Sequence, residues 1–393
     1  MATKTSAGKA GNATRANGAG VKEEEHNVTT QQQEKQQAKA TAAATHKAAH
    51  QKQQQQQQAQ QQQAHVVHPG MEDEREWYSK LSPEACEQVH NMRVCSHRAR
   101  LEGVDGVASG SLAAYSTLVK AGVSCFDIDF TSDGQLLATH PEDLQAAVQS
   151  AGQPGMANLA TRVHEFTLEQ LRAAGADEER FPTAETLVKV YAASLEDAGL
   201  LWRPGKEGGE APDYQELPVL LMDLKGPAYN AQTINSTAAA AKAAHVAAHV
   251  ALFVSSPEQL QLVQKQTQWA GPLIRAYMDR QDPNPPVTAE ELAPFALLGP
   301  SLKMSDTFFA AAAQLGKPAL AWTADTPADL HRAAQARLNA VVSNRPIALR
   351  AVLMDWRDRC SERQRRQRQA ARRLAGDGGD RGGGWQLGGP RQR

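Results

Sequence analysis

From Asn91 to Arg357 one pattern recurs: a short aliphatic or β-branched run, a turn, then an Ala/Leu-rich stretch with helical spacing. Short apolar runs bounded by turn residues read as strands, and the longer Ala-rich stretches as helices. MRVCSHRA opens the series, and SLAAYSTLVKAG follows as a helix stopped at Gly122. SCFDIDF is the second strand and QLLATH a short return strand after the turn Ser132-Asp133-Gly134. TLEQLRAAG and PTAETLVKVYAAS form a helical layer before PVLLMDLKG, the third strand of the series. VALFVSS, GPLIRAYMD, FALLGPSLKM, PALAWTAD and LNAVVSNRP supply the rest, most of them followed by a helix. Strands separated by helices pair in parallel, because each crossover returns the chain to the same end of the sheet. Eight such units in about 270 residues are what a closed barrel requires, so the expected fold is an α/β (β/α)8 TIM barrel.

Outside this block the composition changes. Residues 1–75 are rich in Ala, Gly, Thr and Lys and then, from Gln31 to Gln63, in Gln. A segment with so little to bury cannot offset its ordering entropy, and disorder is expected. His46, His50, His65 and His68 are irregularly spaced there and read as incidental. The polar insert from Arg203 to Glu216 reads as a surface loop. The net charge of -1 hides a basic end: eleven arginines from Arg357 onward face only Asp358, Glu362, Asp377 and Asp380. The expected organisation is a disordered tail over 1–75, a barrel over 76–358 and a basic Arg/Gly-rich tail over 359–393. That last tail has Trp385 as its only aromatic residue and no folded reader, so no specific nucleic-acid partner is expected. Weak contact with an anionic membrane surface is the most it offers.

No apolar run is long enough to cross a bilayer and the N-terminus has no hydrophobic signal core, so a cytoplasmic protein is expected. Cys86, Cys95, Cys125 and Cys360 lack metal-ligand spacing and are too few for a disulfide framework. Cys95 and Cys125, on neighbouring strands, are expected as buried core thiols.

The polar residues of the block fall at the ends of its strands. In SCFDIDF, Cys125, Asp127 and Asp129 share one face and Phe126, Ile128 and Phe130 the other. Carboxylates on an otherwise apolar strand are costly unless a positive group sits between them, and a hard divalent cation is the simplest. His97 ends the first strand, His140 the return strand, and Asp223 and Lys225 alternate at the end of the third. Barrel enzymes place reactive groups at these C-terminal ends. Two histidines, three carboxylates and a lysine are thus expected on one rim. Singly, each has a structural reading: a satisfied core histidine, a capping histidine, a Lys225–Asp223 ion pair.

His97-Arg98 followed by SLAAYSTLVKAGVSCFDIDFTSDGQLLATH resembles the start of the glycerophosphodiester phosphodiesterase family, whose members are phospholipase-C-like phosphodiesterase barrels. FPTAETL, MDLKG and AWTADTPADLHRAAQARLNAVVSNRP continue the likeness from about Val94 to Pro346. The resemblance implies metal-dependent hydrolysis of a small-molecule glycerophosphodiester to glycerol 3-phosphate and an alcohol. It implies His97 and His140 as the acid/base pair, and Asp127, Asp129 and Asp223 as ligands of Mg²⁺ or Ca²⁺. Arg98 and Lys225 would hold phosphate oxygens, and either a substrate hydroxyl or water would attack. Asp127 and Asp223 stand where the family usually has Glu, Ser109-Gly110-Ser111 where it has Glu-Asn-Thr, Pro141 where it has Asp, and Asn344 where it has Asp. These departures are consistent with a divergent enzyme, a phospholipid-directed one, or a barrel that has lost catalysis and serves as a scaffold.

Overall fold

Alternation along the strands builds two apolar layers, one inside a ring of strands and one beneath the helices around it. The structure, a computed structural model, describes residues 74–101, 107–122, 124–152, 158–203, 217–278, 285 and 287–376. The strands are β1 Arg93–His97, β2 Ser124–Phe130, β3 Leu136–Leu137, β4 Leu220–Leu224, β5 Val250–Val254, β6 Leu273–Tyr277, β7 Leu297–Pro300, β8 Leu320–Trp322 and β9 Ala340–Ser343. Eight run parallel in the order β7-β6-β5-β4-β2-β1-β9-β8, and the bridges Leu298 to Ala319 and Ser301 to Trp322 bring β7 to β8. The expected (β/α)8 barrel is therefore the fold. β3 is the return strand, antiparallel to β2. Of the tails expected over 1–75 and 359–393 and the insert expected over 203–216, residues 1–73, 377–393 and 204–216 lie outside the described residues.

Cys95, Cys125, Leu221, Phe253 and Ile274 belong to the inner cluster, while Phe126, Ile128, Leu220 and Met222 pack outward. The outward set meets the helix α1 Leu112–Lys120, which buries Tyr115 and Leu118, and α2 Ala184–Asp197, which buries Leu187 and Tyr191. Tyr115 meets Phe126 edge-on, with ring centroids 5.6 Å apart. The register sets Asp127 beside Asp223 and His97 beside Cys125, so the polar ends of three strands arrive together. Inside the ring, Gly299 leaves room for larger neighbours. A Cβ there would lie 2.6 Å from Phe253 Cε1 and 2.9 Å from Ile274 Cγ2.

The helix α3 Pro346–Gly376 continues well past the last strand, into the segment expected as a basic tail. Trp356 and Cys360 on it are fully buried, and Arg357 Nε donates to Val89 O at 3.0 Å. Cys95 and Cys125 are buried free thiols as expected, but Cys86 and Cys360 form a disulfide with Cα atoms 5.6 Å apart. Spacing gave no sign of that bond, because its partners are 274 residues apart and meet only once the ring closes. Such bonds are rare in reducing compartments. Among the described residues no helix is long and apolar enough to cross a membrane.

His249 is fully buried ahead of β5. Its Nε2 accepts from Trp202 N at 3.1 Å and its Nδ1 donates to Pro218 O at 3.0 Å. A neutral ring satisfies both contacts, whereas an imidazolium would turn an N–H toward an N–H. Burial accordingly pushes its pKa below the ordinary 6.5.

Gly299→Ala is expected to destabilise the barrel by about 1–3 kcal/mol, since the interior cannot absorb the methyl without shifting an aromatic ring. Urea unfolding measures it, and an unchanged midpoint would show slack around Phe253. A second expectation concerns acid. The unfolded chain takes up a proton at residue 249 below the ordinary imidazole value, and the folded chain does not. The stability contribution is complete above about pH 6.5 and falls away below it, by at most about 1.4 kcal/mol per pH unit. Melting temperatures from pH 8 to 5 should show this fall, and His249→Gln, which keeps a donor and an acceptor without titrating, should make it shallower.

Candidate active site

Just past β1 the chain turns sharply. Arg98 and Ala99 take positive φ of 55° and 46°. Ala99 N donates to Cys125 O at 3.2 Å, and Ser96 Oγ donates to Arg100 O at 2.8 Å. Left-handed backbone costs a side-chain-bearing residue about 1–2 kcal/mol. Such strain persists where surrounding contacts over-determine it, most often at functional sites. Here the turn delivers Arg98 to the carboxylate of the neighbouring strand.

That carboxylate is Asp127, only 5% exposed. Arg98 Nε lies 3.4 Å from its Oδ2, His140 Nε2 3.3 Å from the same oxygen, and Lys225 Nζ 3.3 Å from Oδ1. Lys225 also pairs with Asp223. Burial pushes the Asp223 carboxyl up, Lys225 draws it down and Asp127 adds to the rise; the net direction is up. The Lys225 ammonium is held above its ordinary value by the two carboxylates, against the effect of burial. The strand ends thus bring together Asp127, His140, Asp223 and Lys225, four of the six residues expected on the rim, with Arg98, which the family resemblance added.

His97 ends β1, and its Nδ1 lies 2.8 Å from Asn344 Oδ1. Burial pushes its imidazole pKa down, with Asn344 and the field of Asp127 opposing. His140 precedes the helix Pro141–Ser150 and makes no side-chain cap bond. Its Nδ1 lies 2.5 Å from Glu142 Oε2, close but out of line for a hydrogen bond. Burial lowers the His140 pKa too, with Asp127 and Glu142 working the other way. Asp129 stands apart. It shares the inward face of β2 with Asp127 and is 8% exposed, yet its Oδ1 accepts from Phe130 N at 2.8 Å. Burial pushes its carboxyl up.

Beside these groups lies a cavity of about 150 Å³ whose lining includes Arg98, Arg100, Asp127, His140 and Arg180. Three residues of the site carried little signal in the sequence. Glu142 sits one residue past Pro141, Asn344 read only as a departure from a family pattern, and Asp325 was not singled out. The end-of-strand rule that marked His97 would also have marked Asp325, three residues beyond Trp322.

Among the described residues no group of three or more His, Cys, Asp or Glu is assembled at metal-binding distances. The donor chemistry nevertheless fits a hard divalent cation. Asp127 and Asp223, neighbours in register, share one ammonium, and Asp129 and Asp223 have carboxyls raised by burial, which a cation would reverse.

Comparison with known proteins places the chain in a family. Residues 105–348 match the model of the glycerophosphoryl diester phosphodiesterase family; the match begins after β1, leaving His97 and Arg98 outside it. No curated protein matches the chain. Among solved structures, a glycerophosphodiester phosphodiesterase from Parabacteroides distasonis is 16% identical over 67% of this chain and 98% of its own, with a TM-score of 0.47. An Oleispira antarctica phosphodiesterase, in complex with the product sn-glycerol-3-phosphate, is 15% identical over 70% of this chain and 98% of its own, with a TM-score of 0.46. A Thermotoga maritima glycerophosphodiester phosphodiesterase is 12% identical over 66% of this chain and 96% of its own, with a TM-score of 0.41. The match over 105–348 covers more than half of the sequence, and on that ground the chain belongs to the glycerophosphoryl diester phosphodiesterase family of phosphoric diester hydrolases.

Proposed function

We propose that this chain hydrolyses glycerophosphodiesters to glycerol 3-phosphate and a free alcohol, with His97 as general base and His140 as general acid. The observation that carries the reading is the convergence of Arg98, His140 and Lys225 on the buried Asp127, with His97 on the adjoining strand end. In this reading Arg98 and Lys225 bind and orient the non-bridging phosphate oxygens, for which guanidinium and ammonium groups suit. His97 takes the proton of the attacking water at Nε2, its Nδ1 being engaged with Asn344. His140 supports the opposite role. Its two ring nitrogens face the carboxylates of Asp127 and Glu142, which stabilise a proton on the ring until the departing alkoxide receives it. Water adds across one P–O bond, so the phosphorus keeps one ester and gains one hydroxyl while the alcohol leaves.

Asp127, Asp129 and Asp223 would hold a divalent cation, Mg²⁺ or Ca²⁺, which when bound polarises the phosphoryl oxygens and offsets charge in the transition state. Asp129 would join through Oδ2, the oxygen the Phe130 amide does not hold. The barrel, expected over 76–358, is the catalytic unit in this reading. Of the flanks, 1–75 and 359–393, the second offers weak contact with an anionic membrane through its arginines.

The test is release of glycerol 3-phosphate from glycerophosphocholine, glycerophosphoethanolamine and glycerophosphoinositol by the full chain, with Mg²⁺ or Ca²⁺ and with chelator. Chelator-sensitive turnover is expected, and His97→Ala or His140→Ala should lower kcat by about 10²–10⁴-fold. Wild-type rates in both variants would remove the two-histidine mechanism, and turnover unaffected by chelator would remove the cation. A second expectation reads the cation without turnover. Lys225→Met leaves Asp127 and Asp223 facing one another, so the metal-free variant should melt below the wild type at pH 7. Mg²⁺ or Ca²⁺ should raise its melting temperature more than that of the wild type, and equal shifts would place the cation elsewhere.

A further inference from the structure

The neutral imidazole of His97 has two tautomers, and only one leaves Nε2 free to take a proton. What selects it lies on two other strands. Asp325, just beyond β8, holds Asn344, just beyond β9, by two hydrogen bonds: Asn344 N donates to Asp325 Oδ1 at 2.6 Å, and Asn344 Nδ2 donates to Oδ2 at 2.8 Å. Ser343 Oγ donates to Oδ1 as well, at 3.1 Å. An ionised carboxylate only accepts, so the Asn344 amide must present its NH₂ to Asp325 and its oxygen to His97. That oxygen, 2.8 Å from His97 Nδ1, in turn only accepts. The proton must sit on Nδ1, and Nε2 keeps its lone pair.

We infer that Asp325 is a positioning residue: through the Asn344 amide it fixes His97 in the Nδ1–H tautomer, leaving Nε2 as the proton acceptor. The inference rests on the proposed role of His97 as base, but the tautomer itself follows from the hydrogen-bond chain alone. A carboxylate one residue removed differs in effect from one touching the ring. It dictates where the proton sits while keeping its own charge an amide's length away from the imidazole. The base keeps its direction without the extra basicity that direct contact with a carboxylate would give it.

The chain of donors makes a reversible prediction. In Asp325→Asn, the amide introduced at 325 still accepts from Asn344 N through its oxygen, but it now offers an NH₂ to the Asn344 side chain. Asn344 must flip to accept it, turning its own NH₂ to His97 Nδ1, and the ring proton moves to Nε2. The double variant Asp325→Asn/Asn344→Asp restores the order. The NH₂ at 325 donates to one oxygen of the carboxylate introduced at 344, and the other oxygen accepts from Nδ1–H.

The experiment is long-range ¹⁵N–¹H correlation on ¹⁵N-histidine-labelled full-length protein, with His97→Gln to assign the His97 signals, alongside steady-state kinetics on glycerophosphodiesters. The wild type should carry its proton on Nδ1, Asp325→Asn on Nε2, and the double variant on Nδ1 again. Asp325→Asn should lower kcat at least about ten-fold with KM within two-fold, and the double variant should recover most of that loss. A wild-type proton on Nε2 would overturn the inference, and that measurement needs no variant to fold. So would an unchanged tautomer in folded Asp325→Asn, or a double variant that folds and stays on Nε2. If the wild type turns over no glycerophosphodiester, the spectra still decide the role of Asp325, so failure of the substrate reading is a separate result.

Discussion

A carboxylate buried at the end of an apolar strand is the constraint around which this barrel's mouth is built. Asp127 is almost wholly enclosed, and Arg98, His140 and Lys225 come to it from three separate segments. Each arrival has a structural cost or condition. Arg98 needs the left-handed turn after β1, His140 needs the β3 hairpin that folds back on β2, and Lys225 needs β4 to pair in register with Asp127 beside Asp223. Slip β2 by one residue and Asp127 would face the helices instead.

Much of this was legible because strand periodicity is strict. The alternation in SCFDIDF sends Cys125, Asp127 and Asp129 inward, and the same period in MDLKG carries Asp223 and Lys225 to the rim. What stayed hidden was whatever depends on side-chain direction rather than on which face a residue occupies. Asp129 lies on the expected face, yet its carboxylate bonds the next amide of its own strand instead of joining Asp127. Asn344 and Asp325 lie on strand ends far from His97 in sequence, and only the closing of the ring makes them its neighbours. The Cys86–Cys360 bond was hidden for the same reason. Periodicity reports faces; closure reports partners.

The two histidines illustrate how one rim supports opposite proton chemistry. Both are partly buried and both have pKa values pushed down by it, so burial does not distinguish them. Their neighbours do. His140 sits between two carboxylates that favour a proton on either nitrogen, whereas His97 touches a neutral amide whose direction is set from behind. The difference lies in whether charge touches the ring directly or acts through an intermediary.

At the end of the barrel away from this rim, α3 returns to the start of the fold. Arg357 donates to the carbonyls of Val89 and Met92 at the entry to β1, Arg363 to Leu81, and Cys360 is tied to Cys86. The first and last described segments of the barrel are therefore neighbours, and the barrel is nearly a loop whose cut is arbitrary. Joined there and reopened at another helix-to-strand junction on that same lower end, a circularly permuted chain would present an unaltered mouth. The order in which the strands are synthesised is thus separable from the order in which they surround the reacting group.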